Sequence, residues 1–328
     1  MAQFDDLGFT QEEQMAIWRV VASVLHIGEL QFDESTYDES GKSCQITNMD
    51  RLATVARLLG IEHAQDLFAD IVNRPKDPGI TARRPLRKLE CIEARDSLAK
   101  ALYNNLFCWL VKRMNLTILP DYEKLGEYEH RDTAQTIGLL DIFGFERFKN
   151  NFFEQLCINY VNEKLHKLYI SAIFDAEKIE LTNEGLEHKI DDLKYPDLSA
   201  LDVIKLLDER ITRIRNPDAK LGIFYMVNDG STSNPRRKWD QLIKQILDTH
   251  KGNKKLSTEF TVDKGRDKFI VYHSAKEVKY DVKSFIERNV DSISGDLEKL
   301  VQTKSDPMVQ HIFRMTVPGL PSSFEEEK

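Results

Sequence analysis

The stretch from Thr136 to Glu146 reads TIGLLDIFGFE, an apolar run that leads to an aspartate, a glycine and a glutamate. The run lacks polar alternation, which is typical of a β-strand covered on both faces of a parallel sheet. Ligands of such sheets gather at the carboxyl ends of the strands. There Asp141 can hold a metal-bound water, and Gly144 lets a backbone N–H approach a phosphate and can change conformation when that phosphate leaves. The pattern favours a nucleotide sensor, although apolar strands ending in Asp and a Gly turn also occur in proteins that bind no nucleotide.

A long amphipathic helix is predicted directly after this turn. Residues 151–166 read NFFEQLCINYVNEKLH. Asn151, with Glu154 three residues later, resembles a capping box. A helix from Asn151 to about Lys178 would be roughly 40 Å long, enough to carry a small movement at a phosphate to a distant surface. Periodicity alone fits a core helix equally well. The apolar residues that recur at helical spacing along one stripe are Phe153, Leu156, Cys157, Tyr160, Val161, Leu165 and Leu168.

These two segments closely resemble switch II and the relay helix of the myosin motor domain. Residues 5–32, 95–115 and 268–291 are similar to further segments of the family, so the resemblance covers nearly the whole chain. It implies a mostly α fold with a few β-strands, as in a fragment of an α/β P-loop NTPase-type myosin head. We expect an upper helical subdomain at residues 1–138, including an actin-contacting loop at 74–90. Residues 139–328 are expected to hold switch II, the relay helix and the lower actin-binding subdomain.

The resemblance also assigns chemical roles to the turn. Asp141 would contact the Mg²⁺ shell through a water, Gly144 would donate its amide to the γ-phosphate, and Glu146 would pair with an arginine of switch I. These three are the candidate catalytic residues. The γ-phosphate and Mg²⁺ side of the ATP site would comprise Asp141, Ile142, Phe143 and Gly144.

Two other parts of such an ATP site do not occur in the sequence. It contains no G-x-x-x-x-G-K-[ST] motif and no segment like switch I. The intact motor is expected to be an actin-activated ATPase that uses ATP and Mg²⁺. This chain alone is expected to bind neither tightly and to lack activity.

Three surface segments are candidate contacts with the actin filament. The first, residues 74–90, is a basic loop punctuated by prolines. The second is a helix–loop–helix whose loop, Asn228 to Asn234, is expected to be exposed, and the third is the basic loop from Lys251 to Lys264. Without the resemblance, the first would be an ordinary connector and the second a core segment. The candidate contact residues are Arg83, Arg84, Arg87, Lys88, Asn228, Asp229, Asn234, Pro235, Arg236, Lys251, Lys254 and Lys255.

Composition limits the class of protein. The 328 residues are 41% hydrophobic and 30% charged, as in a globular protein, and no apolar run reaches the ~20 residues that span a bilayer. The net charge of −8 argues against general nucleic-acid binding. Four cysteines without a C-x-x-C pair are expected to be reduced thiols. These features argue against nucleic-acid and membrane contact, and the resemblance implies a cytoplasmic protein of the actin cytoskeleton whose partners are the actin filament and the remainder of the myosin heavy chain.

Two alternatives belong to other functional classes. A non-catalytic actin-binding module would keep the turn only as structure, and its actin binding would not depend on nucleotide. A GTPase-like switch protein is suggested by the D-x-x-G spacing, but it would need an N-K-x-D motif, which does not occur.

Periodicity predicts a mostly helical chain with few strands. The strands are expected at Thr136 to Leu140, and at Phe260 to Val262 with Lys268 to Tyr280 as a small antiparallel set. The predicted helices lie near residues 10–25, 49–59, 62–72, 91–115, 151–178, 198–214, 220–227, 237–250, 282–290 and 295–302.

Overall fold

The computed structural model describes residues 2–35, 37–38, 43–75, 83–118, 137–186, 199–209, 221–232, 238–258, 267–290 and 293–314. The described chain is mostly helical with a few short strands, which confirms the predicted fold class. It divides into two compact units, Met1–Thr136 with Asp291–Lys328, and Ile137–Val290. The predicted upper and lower subdomains had placed residues 291–328 in the second part, whereas the described portion of that segment packs in the first unit.

The helices account for most of the described residues. None of them, in the part of the chain that the structure describes, is both long and apolar enough to span a bilayer. In chain order they are α1 (Ala2–Asp6), α2 (Gln11–Gly28), α3 (Met49–Leu59), α4 (Ala64–Val72), α5 (Lys88–Ile118), α6 (Phe153–Asn183), α7 (Ser199–Asp208), α8 (Ile223–Thr232), α9 (Trp239–Thr249), α10 (Phe285–Arg288), α11 (Gly295–Lys304) and α12 (Pro307–Phe313).

The strands are short and pair only with antiparallel neighbours among the described residues. β1 pairs with β2, β3 with β4, and the last three strands form one sheet in the order β5-β6-β7. They are β1 (Phe32–Asp33), β2 (Gln45–Ile46), β3 (Asn73–Pro75), β4 (Arg83–Pro85), β5 (Leu256–Thr258), β6 (Lys268–Tyr272) and β7 (Glu277–Asp281).

The first unit is built around α2, which packs against α3 and α5. α2 begins with a capping box: the Thr10 hydroxyl accepts from the Glu13 N–H at 3.1 Å, and the Glu13 carboxylate accepts from the Thr10 N–H at 2.7 Å. Val20 and Ile27 of α2 are fully buried in a core that α3, α4, α5, α11 and α12 share. The capping residues thus fix the start of the helix that carries this core.

The loop expected to contact actin, residues 74–90, has the base of a β-hairpin. β3 and β4 pair in antiparallel register with Arg74 opposite Arg84, although the sequence analysis predicted no strands there. The positions between the two strands, residues 76–82, lie outside the described residues. The hairpin fixes where the loop leaves and rejoins the unit.

The second unit combines the three-stranded sheet with helices α6 to α10. Phe269 and Val271 of β6 and Val278 and Tyr280 of β7 point into its core, so the strands alternate buried and exposed residues. This sheet confirms the predicted antiparallel set, with its first strand at Leu256–Thr258. The range predicted for that strand, residues 260–262, lies outside the described residues.

Two local predictions in this unit are wrong. Asn228 and Asp229 lie in helix α8 and not in a loop. The hydroxyls of Ser231 and Thr232 each donate to the Asn228 carbonyl at 2.9 Å, and Ser231 is buried, so helical backbone continues through a glycine- and serine-containing segment that resembles a turn. The helix predicted for residues 282–290 is reduced to the single turn of α10.

The buried strand predicted for Thr136 to Leu140 is not formed. Residues 137–140 have no regular structure, and the side chains of Ile137 and Leu139 are 96% and 98% exposed. Thr136 lies outside the described residues. A strand needs a neighbouring strand for its hydrogen bonds, and the described residues place none beside this segment. The apolar pattern therefore indicates that the segment can form a strand. It does not show that a neighbouring strand is present to pair with it.

The helix predicted after the turn is confirmed as the continuous α6, 31 residues long, or roughly 46 Å. Its predicted cap is wrong. The N-cap position is Phe152, whose N–H donates to the Gln155 side chain at 2.9 Å. Asn151 instead exchanges two hydrogen bonds with the backbone of Phe148. Asn151 therefore closes the loop before the helix and does not cap the helix itself.

The end of α3 gives a test of packing in the first unit. Gly60 has φ 73°, and the Asp306 N–H donates to the neighbouring Leu59 carbonyl at 2.8 Å. A Cβ at Gly60 would lie 2.7 Å from the Asp306 Cβ. Gly60→Ala should therefore destabilise the chain by at least about 1–3 kcal/mol, measured by urea denaturation with circular dichroism.

Gly28 is the matched control, because it is the last residue of α2 and an added Cβ there meets nothing within 4 Å. Gly28→Ala should be neutral or slightly stabilising. Equal stability of the two variants would contradict the described packing of Gly60 against Asp306.

Candidate functional site

The turn segment, defined here as residues 137–152, carries the predicted catalytic residues in two different environments. Asp141 and Gly144 are exposed, and a Cβ built at Gly144 would meet no atom within 4 Å. Ile142 is 43% and Phe143 72% exposed. This half of the segment leaves its backbone amides and the Asp141 carboxylate open to a ligand.

Glu146 is held by helix α6. Its N–H donates to the Asn159 side-chain oxygen at 2.8 Å, and its carbonyl accepts from the Asn159 amide nitrogen at 2.8 Å. Its carboxylate accepts from the Gln155 side chain at 3.3 Å. A weaker link joins the Phe143 carbonyl to the Asn162 amide at 3.2 Å. The turn segment is thus hydrogen-bonded to α6 at points on either side of Gly144.

Asn159 also begins a polar network, defined here as Asn159, Glu163, His273, Ser274 and Tyr280, in which every member except Ser274 is buried. Its amide donates to the Tyr280 hydroxyl at 2.9 Å, and that hydroxyl lies 2.8 Å from the His273 Nε2. His273 Nδ1 lies 3.1 Å from a Glu163 oxygen, and Glu163 also accepts from the N–H and hydroxyl of Ser274, each at 2.8 Å. The network connects α6 to β7 and to the β6–β7 turn.

The proton positions in this network follow from its chemistry. An ionised carboxylate only accepts, so the hydrogen bond between His273 and Glu163 requires a proton on His273 Nδ1. Burial raises the pKa of Tyr280, which keeps this hydroxyl protonated. Burial acts to raise the pKa of Glu163 as well, but the hydrogen bonds from His273 and Ser274 outweigh it and hold that pKa below 4.5. His273 and Ser274 thus support an ionised Glu163.

The sequence analysis missed this network. The face of α6 that the structure buries carries Leu156, Asn159, Glu163 and Ile170, whereas two residues of the predicted apolar stripe, Val161 and Leu168, are 47% and 65% exposed. The available signal was the pair of polar residues four apart, Asn159 and Glu163, in line with a buried leucine. Polar residues on a buried helix face need partners, and these two find them in the turn segment and the sheet.

The predicted contact with Mg²⁺ is Asp141. In the described ranges, no group of three or more His, Cys, Asp or Glu residues is arranged to hold a metal ion. The Asp141 carboxylate offers the oxygen chemistry that Mg²⁺ prefers, and its exposure fits contact through a water. The remaining ligands of such a site are not among the described residues.

The basic residues of the 74–90 loop differ in how far they are engaged. Arg83 donates to Asp70 at 2.6 Å and to Asp296 at 3.2 Å, and Arg84 donates to Glu90 at 2.7 Å. Burial raises the pKa of Asp70 despite this partner. These two arginines hold the hairpin base against α4, α5 and α11 rather than extending freely into solvent.

Two further basic residues of that loop have exposed side chains. Arg87 and Lys88 are both exposed at the start of α5, with the Arg87 guanidinium 5.5 Å from the Tyr37 ring. The loop therefore divides into an anchored base and an exposed basic end.

The other two candidate actin contacts are placed only in part. Asn228 and Asp229 are exposed on α8, and Lys251 and Lys254 are exposed in the turn after α9, with Lys255 half-buried. Asn234, Pro235 and Arg236 lie outside the described residues. The described candidates of the second unit are thus on its surface.

The Glu163 contacts predict a pH effect. Its pKa is lowered in the folded chain, so the stability that it contributes is complete above about pH 4.5 and is lost as pH falls through the folded pKa. Glu163→Gln should therefore lower stability at pH 7 and flatten the loss of stability below pH 4.5. Thermal unfolding measured across this pH range checks both effects.

Glu177→Gln, a substitution at an exposed position of the same helix, is the control and should leave the loss of stability at acid pH unchanged. If stability fell equally at acid pH in Glu163→Gln and in the unaltered chain, the lowered pKa of Glu163 would be contradicted.

Comparisons with known proteins agree along the whole chain. The sequence model of the family described as Myosin head (motor domain) matches residues 1–327. Myosin IE heavy chain of Dictyostelium discoideum is 32% identical over 324 residues, which cover 96% of this chain and 30% of that protein. Unconventional myosin IC of Drosophila melanogaster is 32% identical over 94% of this chain and 28% of its own length. For unconventional myosin-IXa of Homo sapiens the identity is 29%, over 92% of this chain and 11% of that protein.

The chain therefore spans less than a third of the length of these relatives. The match nevertheless extends over both compact units and includes the turn segment and α6. The chain belongs to the myosin head family.

Proposed function

We propose that this chain is the central part of a myosin motor that couples ATP binding and hydrolysis to actin-filament binding and movement. In the intact motor it would carry the γ-phosphate sensor, the relay helix and several actin contacts. The observation that carries this proposal is the pair of hydrogen bonds between the Glu146 backbone and Asn159 of α6. They join the segment that would meet the phosphate to the long helix that would transmit its state.

The exposed half of the turn segment fits a site completed by other parts of the heavy chain. Asp141 would reach Mg²⁺ through a water, the Gly144 N–H would donate to the γ-phosphate, and Glu146 would pair with a switch I arginine. In the intact motor, ATP with Mg²⁺ would supply the phosphoryl group. The residues of this chain would bind that group and respond to its presence. Because no P-loop or switch I segment occurs in this sequence, we expect weak nucleotide binding by the chain alone.

Helix α6 fits the relay role because it extends beyond its own core. Leu156, Asn159 and Glu163 near its start are buried, whereas Leu168, Tyr169 and Ile179 further along are 65%, 66% and 63% exposed. An apolar surface of this kind is normally covered by a partner. We propose that the remainder of the myosin heavy chain covers it, so that a shift at Glu146 would be passed along the helix to that partner.

The actin filament is the proposed partner of the exposed basic residues. Lys251, Lys254 and Lys255 lie together after α9, and Arg87 and Lys88 lie at the end of the hairpin loop. Such charges steer association with an acidic surface more than they stabilise the bound state. The corresponding location would be the cytoplasmic actin cytoskeleton, with no contact to nucleic acid or membrane from this segment.

The exposure of Asp141 and Gly144 favours one second candidate, a non-catalytic actin-binding module in which the turn segment is only structural. Co-sedimentation with actin separates the two functions. Binding that ATP never alters, even after the upstream coding sequence is added to the chain, would support the module. Restored hydrolysis and ATP-dependent release in the extended protein would support the motor.

We expect no ATPase activity from the purified 328-residue chain, because the residues that would hold the β-phosphate and the Mg²⁺ hydroxyl ligand are not in its sequence. The measurement is steady-state phosphate release with and without actin. Gly144→Ala serves as the comparison. Turnover above background that disappears in this variant would show that the chain holds a complete site.

A change of charge at Lys254 should weaken actin binding without affecting the fold. Lys254→Glu is expected to lower the affinity several-fold in co-sedimentation, and the loss should shrink as salt increases. Arg83→Gln should behave differently, because it leaves the Asp70 carboxylate without its guanidinium partner and lowers stability by about 1–3 kcal/mol. Equal loss of stability in both variants would contradict these separate roles.

A further inference from the structure

We propose that the second unit carries a binding cleft for an acidic peptide segment of a partner protein, separate from the turn around Gly144. The cleft lies between residues 147–151 and the outer face of the β6–β7 strand pair, with a volume of about 520 Å³. Its size is within the range of ordinary ligand sites, roughly 300–1,000 Å³. This inference does not depend on the motor function.

One wall of the cleft is fixed by hydrogen bonds. The Asn151 side chain donates to the carbonyls of Phe148 and Lys279, each at 3.0 Å, and accepts from the Phe148 N–H at 2.8 Å. The Asp281 N–H donates to the Asn151 carbonyl at 2.9 Å. Asn151 is only 2% exposed. The wall is therefore formed before any ligand arrives, which lowers the entropic cost of binding.

The charge of the lining is positive although the whole chain carries −8. The lining includes three basic residues, Arg147, Lys149 and Lys279, and one carboxylate, that of Glu277. The Glu277 carboxylate lies 3.9 Å from the Arg147 guanidinium, whose Nε donates to the Glu277 carbonyl at 3.0 Å. The exposed Lys149 has no hydrogen-bond or ion-pair partner among the described residues. Carboxylates of a ligand would complete this set.

The cleft also has an apolar part. Ile270 lies on the outer face of β6, opposite Lys279 in the strand register, and Phe148 is 57% exposed at the rim. A ligand that carries an apolar side chain between carboxylates would meet both kinds of surface. A peptide such as Glu-Glu-Phe-Glu-Glu has this chemistry, whereas a small inorganic anion would use only the charges.

Recognition must take place through side chains. The carbonyls of Glu277 and Lys279 on the edge of β7 already accept from Arg147 and Asn151. An added peptide strand would have to displace these bonds. The cleft is therefore suited to an extended acidic segment that lies across the sheet face rather than to one that adds to its edge.

The test is fluorescence polarisation of labelled Glu-Glu-Phe-Glu-Glu with the full chain, compared with labelled Gln-Gln-Phe-Gln-Gln and with inorganic phosphate as competitor. Only the acidic peptide should bind, and its affinity should fall as NaCl increases from about 50 to about 300 mM. Lys149→Glu should weaken binding by about tenfold or more and Lys149→Gln by less. Lys244→Glu, the same charge change on exposed α9 outside the cleft, should have no effect.

Several results would overturn the proposal. Equal binding of the amide peptide would show that the charges do not recognise the ligand. Equal weakening by Lys149→Glu and Lys244→Glu would show only a general charge effect. Full competition by millimolar phosphate would reduce the cleft to a simple anion site. Circular dichroism of each variant establishes that the fold is intact, since Lys149 packs against no core residue.

Discussion

The bridge between Asn159 and Glu146 is the constraint on which the arrangement of the second unit depends. A single side-chain amide satisfies both backbone groups of Glu146 and still has a proton for the Tyr280 hydroxyl. Such groups cost about 1–3 kcal/mol each when they are buried without a partner. Asn159 therefore joins the turn segment, α6 and β7, and displacement of any one of them breaks bonds to the other two.

The continuation of this network gives it rigidity. From Tyr280 the bonds pass to His273 and then to Glu163, one turn further along α6 than Asn159. The helix is thus attached to the sheet at two successive turns on the same face. Fully satisfied networks in a dry interior are stiff and specific, because each bond orients the next. No residue of α6, which the structure describes throughout, is buried beyond Ile170, so movement of its distal half does not require this network to break.

Much of the fold could be predicted from the sequence, for reasons that differ by element. The bounds of α3 agree with the prediction at both ends because its amphipathic pattern stops at Gly60, whose left-handed backbone ends helices. The hairpin strands β3 and β4 were missed because three-residue strands next to prolines carry almost no pattern. The 137–140 strand was predicted from its apolar residues, yet pairing depends on a neighbour that the described residues do not provide.

The candidate site was predictable as a motif but not as an assembly. Asp141, Gly144 and Glu146 could be singled out by type and spacing, whereas Asn159, His273 and Tyr280 matter through contacts between positions up to 121 residues apart. Charge along the chain also does not reveal that carboxylates from two helices engage Arg83. The spacing of residues along the chain indicates which functional groups are present. The tertiary structure decides which of these groups are accessible to a ligand.

The covering of β7 by residues 147–151 has a consequence for handling the protein. An uncovered terminal strand of a sheet is a template for intermolecular pairing and aggregation. Proteolytic nicking between Phe148 and Asn151 would release the two groups that occupy its carbonyls. Self-association after limited digestion would then arise from this strand, without any unfolding of the core behind it.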